Sequence, residues 1–440
     1  MSERARPAAP SVAITRTTRC PSLAAFAIVP AVRSASSSGW AWTKTKVGTA
    51  ALCRTLFTHV AYRLSVRIAH ITDCFAPRTG GIETQVQGLA DRQMAAGHEV
   101  RVITATPGVD ENRSGRDVVA GIPVLRVAAR LPFDLPVHPN TRAHVLDFLR
   151  RERIDVAHVH AGAASPFAWG GIRAARQARV PTVVTVHSMW DAVTRSGNRF
   201  LDRTAWGMGS GVILSAVGTA AAKRVEEALK QPVLVLPNGI EPSEWKVTHL
   251  PDPDHVIRVV SVLRLAPRKR VLPLVTVLHR AIAASGGRIR ATIIGDGPES
   301  GRVDRYLERH DLTDVITVTG RLTRPRIRAQ FATSDVFVQA SVRESFGIAA
   351  LEARTSGLAV VARSQSGTAD FVTNGVEGLL AEDDAGLVVA LLDLANDHDL
   401  LKRILDHNGS VTPEQAWPHV LDLVDSAYDE ARGARRRALG

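Results

Sequence analysis

From residue 66 onward the chain alternates short apolar runs with longer stretches whose apolar residues recur every three or four positions. Residues 66–71 form the first apolar run and predict a β-strand, and a loop rich in Pro and Gly follows over 77–81. The spacing over 82–96 predicts an amphipathic helix closed by Gly97, and Glu99–Thr104 predicts a second strand. Strand, glycine loop, helix and strand in this order form the βαβ unit of a parallel sheet.

The same alternation continues in two blocks, separated by a Pro-Asp-Pro-Asp segment at 251–254. Further strands are predicted at 124–127, 156–160, 182–187, 211–217 and 233–236 in the first block, and at Ile257–Val262, 290–294, 315–319, Val336–Gln339, 359–362 and 378–380 in the second. Two such blocks predict an α/β protein with two Rossmann-like, doubly wound domains that face each other across a cleft.

We expect a first domain over 64–248 and a second over 254–411, followed by a closing helix over 412–432 and a basic tail over 433–440. Folds of this kind bind ligands at the carboxyl ends of their strands, so the cleft is the expected site.

The net charge of +12 over 440 residues suggests a nucleic-acid partner until its position is considered. Residues 1–63 hold nine Lys and Arg against one acid, Glu3, and residues 432–440 add four arginines. The rest of the chain is therefore electrically balanced, and we expect no nucleic-acid partner.

Residues 1–63 show neither helical nor strand periodicity, and two interpretations stay open for them. They form a disordered or targeting extension, with the apolar run 23–32 as a short signal, or they reflect a start codon assigned too far upstream. Cys20, Cys53 and Cys74 form no CxxC pair, so no zinc site is expected. This cysteine usage favours a reduced, intracellular protein, and no apolar run of 18 residues predicts a transmembrane helix, so the expected location is cytoplasmic.

Gly80 and Gly81 lie between the first predicted strand and helix. Glycines at this point let backbone N–H groups approach an anionic ligand, but a tight turn needs them equally. The loop lacks the GxGxxG pattern, and no acid ends the following strand, which argues against a nicotinamide site.

Glu344 precedes a predicted helix over 349–356 and Glu352 lies within it. Eight helical residues span about 12 Å, comparable to the distance from the sugar to the ribose of a nucleotide-sugar. The helix N-terminus between the two acids would favour a diphosphate. Taken alone, the two glutamates fit a solvated helix just as well.

The sequence around these two acids resembles a motif of a known family. Glu344-Ser-Phe-Gly-Ile-Ala-Ala-Leu-Glu352, followed by Gly357, resembles the E-x7-E motif of family 4 glycosyltransferases, which are retaining enzymes with the GT-B fold. Other motifs follow the family's order: Gly80-Gly81-Ile82-Glu83, Thr185-Val186-His187, Pro237-Asn238-Gly239-Ile240, Arg264-Leu-Ala-Pro-Arg-Lys269, Gly295-Asp-Gly-Pro298 and Trp417 in the closing helix.

The resemblance implies roles for individual residues. Arg264 and Lys269 would neutralise the donor diphosphate, Glu344 would contact the donor sugar, and Glu352 would bind the ribose. His187 would lie beside the transferring sugar. Gly80, Gly81, Ser345, Phe346, Gly347 and Ile348 complete the expected donor site. No metal, cofactor or separate general base is implied, and surface solubility or an ion pair remains the alternative for the two cations.

The sequence departs from the family pattern at Leu263, Arg270 and Ala359, and Asp370 stands where the family commonly has Glu. The function expected is hexosyl transfer from a nucleoside-diphosphate sugar to an unidentified acceptor. A catalytically silent GT-B binding module and a sugar-nucleotide epimerase are the alternatives.

The acceptor is expected on the first domain, where 107–139 is predicted to be mostly loop. Arg150, Arg151 and Arg153 either contact an anionic membrane surface from the inner face or simply complement a helix end. Donor base, sugar and oligomeric state have no signal in the sequence.

Overall fold

The computed structural model describes residues 65–109, 113–129, 137–202, 211–249 and 256–439. All of these residues belong to one unit of the chain, Leu64–Gly440. The extension predicted at 1–63 and the linker at 251–254 lie outside the described residues.

The first half of the described chain builds an eight-stranded sheet in the order β3-β4-β2-β1-β5-β6-β7-β8. Its strands are β1 (Arg67–Thr72), β2 (Glu99–Thr104), β3 (Gly115–Val119), β4 (Ile122–Arg126), β5 (Val156–Ala161), β6 (Thr182–Val186), β7 (Ile213–Ala216) and β8 (Leu234–Val235). All pairs are parallel except β3 with β4. The central β5 is buried on both faces, as helices on either side of a parallel sheet require.

Helices alternate with these strands. They are α1 (Gly81–Ala95), α2 (Thr141–Arg151), α3 (Pro166–Ala178), α4 (Ala192–Leu201), α5 (Thr219–Leu229) and the short α6 (Pro242–Trp245). The βαβ unit predicted at the start of the chain is therefore present, with α1 joining two parallel neighbours, β1 and β2.

The second half repeats the arrangement in a six-stranded parallel sheet of order β11-β10-β9-β12-β13-β14. Its strands are β9 (Ile257–Val262), β10 (Ile289–Ile294), β11 (Ile316–Gly320), β12 (Val336–Gln339), β13 (Ala359–Arg363) and β14 (Gly378–Ala381). Its helices are α7 (Val271–Ala284), α8 (Ser300–Arg309), α9 (Arg324–Phe331), α10 (Ile348–Thr355), α11 (Asp384–Asn396) and α12 (His398–Ser410). The predicted α/β class with two parallel sheets is confirmed.

The last helix, α13 (Trp417–Leu439), returns to the first sheet and packs against α1, β6 and β7. Trp417, Val424 and Tyr428 are buried there with apolar residues of α1. A side chain at Gly88 of α1 would meet the Trp417 ring at 2.7 Å, so glycine admits this contact.

Three regions differ from the predictions. Residues 107–139 contain the β3–β4 hairpin, whose β3 alternates exposed and half-buried residues at the sheet edge. Residues 433–439, predicted as a separate tail, continue α13. Trp245, predicted in the first domain, packs beside Phe331 of the second, and Ser356 of the second domain also donates a hydrogen bond to its carbonyl at 2.7 Å.

Candidate active site

A cavity of about 380 Å³ lies between the two sheets, at the carboxyl ends of their central strands. Its walls include Gly81 and His187 from the first sheet's side. From the second side it is lined by Lys269, Glu344 and the segment 345–349. The cleft predicted from the two blocks of strands is therefore present.

Two helices begin at this cavity from opposite sides. Gly81 is the first residue of α1 and Ile348 the first residue of α10. A side chain at Gly81 would stand 3.3 Å from Cδ1 of Ile348. The first N–H groups of a helix lack partners within it and carry the positive end of its dipole. Two such ends at one cavity favour an anionic ligand.

Lys269 and Glu344 form an ion pair in the cavity wall. Nζ of Lys269 lies 2.5 Å from Oε2 of Glu344, and the side chains are 30% and 16% exposed. Ser341 donates a hydrogen bond to the Lys269 carbonyl at 3.0 Å, which fixes the short turn Pro267–Lys269. A cation and an acid are thus held side by side in the wall of the cavity.

The segment between Glu344 and α10 is tightly constrained. Gly347 has a φ of +94°, and a side chain there would meet Oγ1 of Thr368 at 2.6 Å, so the position requires glycine. Ser345 donates a hydrogen bond to the His187 carbonyl at 2.7 Å and so joins the two walls of the cavity. Phe346 is buried, with its ring 5.3 Å from that of Phe371.

His187 follows β6 and lines the cavity on the first sheet's side. Its Nε2 lies 3.0 Å from Nδ1 of His160 on β5. Burial lowers the pKa of His187 to about 4, so its imidazole is neutral at physiological pH. It can therefore offer a directed hydrogen bond to a ligand but no charge.

Glu352 lines a second cavity, of about 280 Å³, on the other side of α10. Ile348 borders both cavities. Burial raises the pKa of Glu352 to about 7, although Arg324, with its Nη2 3.5 Å from Oε1, lowers it in part. The Arg324 guanidinium also lies over the Trp245 ring at 5.5 Å. The two acids of the motif thus line separate cavities, both of which Ile348 borders at the start of α10.

Two predicted site residues line neither of these cavities. Arg264 is exposed at the end of β9, so its role in diphosphate binding stays a prediction. Gly80 lies against the carboxylate of Glu83, which occupies the space that a side chain at position 80 would need. Gly81, by contrast, lines the cavity, and a role of Gly80 in donor binding stays a prediction.

Three positions at which the sequence departs from the family pattern make contacts within the structure. Arg270 donates to Asp384 at 2.6 Å, so its charge is neutralised by the start of α11. The Leu263 carbonyl approaches Gly295 so closely that only glycine fits there. Asp370 accepts a hydrogen bond from the Thr219 N–H at 2.6 Å and thereby caps α5 from across the cleft.

Several cavity residues were not predicted from the sequence. Ser188 and Gln339 line the cavity, and Oγ of Ser188 and Nε2 of Gln339 are buried without a partner among the described residues. Buried polar atoms are normally paired, so these two can be satisfied by a ligand. Arg268 also lines the cavity. The signal for Ser188 and Gln339 was their position at strand ends, where parallel sheets place ligand contacts.

The sequence matches two family descriptions, one for each sheet. Residues 79–244 match "Glycosyltransferase Family 4" and residues 248–408 match "Glycosyl transferases group 1". Together they cover the cavity and both of its walls. The chain is a family 4 glycosyltransferase. The resemblance seen in the ordered motifs is confirmed, and the enzyme is of the retaining type with the GT-B fold.

Relatives and solved structures agree with this. The GDP-mannose-dependent alpha-mannosyltransferase of Mycobacterium tuberculosis is 29% identical over 402 residues, covering 84% of this chain and 98% of its own. A phosphatidylinositol N-acetylglucosaminyltransferase subunit of Arabidopsis thaliana is 26% identical over 388 residues, covering 85% of this chain and 84% of its own.

A glycosyltransferase structure from Rickettsia africae superposes with a TM-score of 0.65 at 17% identity, covering 84% of this glycosyltransferase and 99% of its own chain. Anabaena HepE in complex with UDP and glucose gives 0.63 at 18%, covering 83% and 100%. These similarities show the fold. Among the residues described, no helix is long and apolar enough to cross a membrane.

Proposed function

We propose that this glycosyltransferase moves a hexosyl group, with retention of its anomeric configuration, from a nucleoside-diphosphate sugar to an acceptor hydroxyl. The observation that carries the proposal is the meeting of two helix N-termini and the Lys269–Glu344 pair at one cavity. The diphosphate would lie between α1 and α10, with Lys269 beside it and the sugar toward His187.

The chemistry follows from where charge develops. The bond from the sugar's anomeric carbon to the diphosphate breaks, a bond to the acceptor oxygen forms on the same face, and the acceptor proton passes to the departing phosphate. Negative charge grows on the phosphate oxygens, where Lys269 and the N–H groups at the start of α10 stabilise it. Glu344 would hold a hydroxyl of the donor sugar and keep Lys269 in place when the site is empty.

The nucleoside would lie on the other side of Ile348, in the second cavity. Its ribose hydroxyls would donate to the Glu352 carboxylate, while Arg324 compensates the charge. Because burial keeps the Glu352 pKa near 7, two ribose hydrogen bonds would favour the ionised form and lower that pKa. Nucleotide binding should then release a proton.

The donor is proposed from the relatives. The 29% identical relative depends on GDP-mannose, so GDP-mannose is the donor to test first. The acceptor would enter from the first sheet's side of the cavity. Peripheral membrane contact through Arg150, Arg151 and Arg153 remains a proposal; in the structure Arg151 donates to Asp147 at 2.7 Å.

Thermal denaturation with UDP, GDP or ADP, each alone, tests nucleotide binding. We expect one nucleotide to raise the melting temperature and the corresponding nucleotide-sugars to raise it further. No stabilisation by any of the three would overturn the transferase proposal. Stabilisation without sugar transfer to any acceptor would favour a silent binding module, and conversion of the nucleotide-sugar itself would favour an epimerase.

A further inference from the structure

A chain of buried side chains runs from the cavity into the first sheet. His70 on β1 and His158 and His160 on β5 are at most 3% exposed, and all face the side of the sheet covered by α1 and α13. Together with Thr185, Ser215, Gln93, Tyr428 and His187 they form eight hydrogen bonds of 2.6–3.1 Å, the last of them to the backbone carbonyl of Val184.

The direction of these hydrogen bonds is fixed at the far end, because a carbonyl can only accept. Ser215 donates to the Val184 carbonyl at 3.1 Å, so its single hydroxyl proton is used there. Thr185 must then donate to Ser215, at 2.7 Å, and accept from Nε2–H of His158, at 2.6 Å. Nδ1 of a neutral His158 is consequently an acceptor.

The same reasoning carries the direction across the sheet. Tyr428 donates its hydroxyl proton to Nδ1 of His158 at 2.9 Å and accepts from the Gln93 amide at 3.0 Å. The Gln93 amide oxygen therefore faces Nε2 of His70, at 2.8 Å, and that nitrogen carries a proton. Nδ1 of His70 is left as an acceptor.

Two further steps reach the cavity. Nε2–H of His160 donates to Nδ1 of His70 at 2.9 Å, and Nε2–H of His187 donates to Nδ1 of His160 at 3.0 Å. Burial lowers the pKa of all four histidines, so each carries one ring proton near neutral pH. The nitrogen that carries the proton in each ring is therefore determined by the neighbouring group in this chain of hydrogen bonds.

We propose that this chain of hydrogen bonds sets His187 in the Nε2–H tautomer, so that Nδ1 is the acceptor it can offer to a substrate hydroxyl. His70, His158, His160, Gln93 and Tyr428 are positioning residues that act through His187. The tautomer stands on the hydrogen bonds alone. Its use, to accept a hydrogen bond from a hydroxyl of the donor sugar, rests on the proposed function.

A metal site is the competing use of these rings. Nitrogens of His70, His158 and His160 lie within 4.8 Å of one another, close enough to share an ion. Both nitrogens of His158 are already bonded to hydroxyl groups, however, and both of His70 and His160 also have partners. A metal ion would have to break several of these hydrogen bonds, so the observations favour the hydrogen-bond chain.

Nitrogen-15 correlation spectra of the histidine rings in the full chain, without ligand and near neutral pH, read the tautomers directly. We expect a pyridine-like Nδ1 and a pyrrole-like Nε2 for His187, whose signals are assigned by their loss in His187→Gln. A proton on Nδ1 of His187 would overturn the proposal. Zinc bound in stoichiometric amount in the purified protein would also overturn the proposal. The same holds for displacement of the ring signals of His70, His158 and His160 by added Zn²⁺.

Tyr428→Phe tests whether the direction is transmitted. Without the hydroxyl, the Gln93 amide can flip, which would move the ring proton of His70, then of His160 and then of His187 to the other nitrogen. His187 should therefore show a mixed or opposite tautomer. Tyr306→Phe is the matched control, because it removes a hydroxyl 3.1 Å from Nδ1 of His279 in the second domain. An unchanged His187 spectrum in Tyr428→Phe would refute the transmission.

Ser215→Ala removes the donor to the fixed carbonyl and gives a second test if Tyr428→Phe does not fold. It too should mix the His187 tautomers, and an unchanged spectrum would count against the proposal. In either variant we expect the nucleotide-sugar Kd to rise about fivefold, the effect of one net hydrogen bond, and the nucleoside diphosphate Kd to stay the same. Because the spectra need no donor, failure of the transferase proposal would leave the tautomer result intact.

Discussion

Strands β4-β2-β1-β5-β6-β7 of the first sheet lie in the same order as the six strands of the second, but the two sheets differ in the side chains on one of their faces. Near the start of β1 and of β9, an arginine N–H donates to an aspartate that directly precedes the neighbouring strand: Arg67 to Asp155 at 2.9 Å, and Arg258 to Asp335 at 2.8 Å. Counting from these contacts, His70, His158 and His160 correspond to Ser261, Val338 and Ala340. The three histidines of the first sheet thus have one small polar residue and two aliphatic residues as their counterparts in the second.

The difference extends to the cavity. The second domain places charge at the wall, in Lys269 and Glu344, above an apolar core. The first domain presents the neutral His187, oriented by buried groups behind it. Charge suits a diphosphate, because it acts without fine directionality, whereas a neutral ring with one defined acceptor suits the discrimination of hydroxyl groups. We infer that the domains divide recognition of the donor in this way.

Lys269→Ala should have the largest effect, since it removes charge from the wall that the comparison assigns to the diphosphate. We expect the transfer rate to fall by on the order of 10²–10³ and stabilisation by the nucleoside diphosphate to be lost. Initial rates and thermal shifts with the selected donor measure both.

The control for this change is Lys402→Ala, which removes an exposed lysine that also lies 2.5 Å from a carboxylate, that of Asp406. It should leave rate and binding unchanged. If Lys269→Ala kept most of its activity, the diphosphate would have to be held elsewhere, and the exposed Arg264 would become the leading candidate.

Glu352→Gln should separate binding from stability. The folded-state pKa of about 7 exceeds the ordinary 4.5, so the free energy of unfolding falls as pH rises from 4.5 to 7. The amide of the variant cannot ionise, so its free energy of unfolding does not fall in this way. Above about pH 8 the variant should be more stable than the native enzyme by up to about 3 kcal/mol. Nucleotide binding should nevertheless weaken by about 1–3 kcal/mol, because a charged acceptor for the ribose is lost.

Denaturation at several pH values, with and without nucleotide, measures both effects. Glu377→Gln serves as a contrast: burial raises the Glu377 pKa, but hydrogen bonds from Thr373 and the charge of Arg354 outweigh it and lower the pKa overall. Its stabilising effect is present above the unfolded pKa, so Glu377→Gln should be destabilising near neutral pH. Equal behaviour of the two variants would contradict the burial of Glu352.

The second domain's side of the cavity was largely predictable from sequence, because its chemistry is local along the chain. Glu344, Ser345, Gly347 and Ile348 are nearly contiguous, and the helix that follows them determines their geometry. Lys269 needed only one further motif. Arg264 was predicted by the same reasoning; it is exposed at the end of β9 and its role stays a prediction, since motif spacing alone does not determine which side chains line a cavity.

The first domain's interior could not be derived in this way. The buried chain of hydrogen bonds depends on the register of β1 against β5 and on Tyr428, which lies 270 residues from His158. A partial signal existed, since His158 and His160 share one face of a strand that is otherwise apolar. Nothing local indicated that their partners would come from α1 and from the last helix.

Asp370→Ala should have the smallest effect and asks whether the two walls are held together across the cleft. Asp370 caps α5 of the first domain from the second, whereas Asp383 caps α11 within the second domain by accepting from Gly386 at 2.7 Å. Each alanine variant should lose about 1 kcal/mol of stability with its cap. Only Asp370→Ala should also weaken nucleotide binding, by a few-fold, and enlarge the radius of gyration in small-angle scattering.

The binding loss is expected because the two walls must come together around the donor. Without Asp370, the hydrogen bond from Ser345 to the His187 carbonyl would still join them. Identical scattering and affinity for the two variants would mean that the walls meet independently of this contact, and that each domain holds its part of the donor alone.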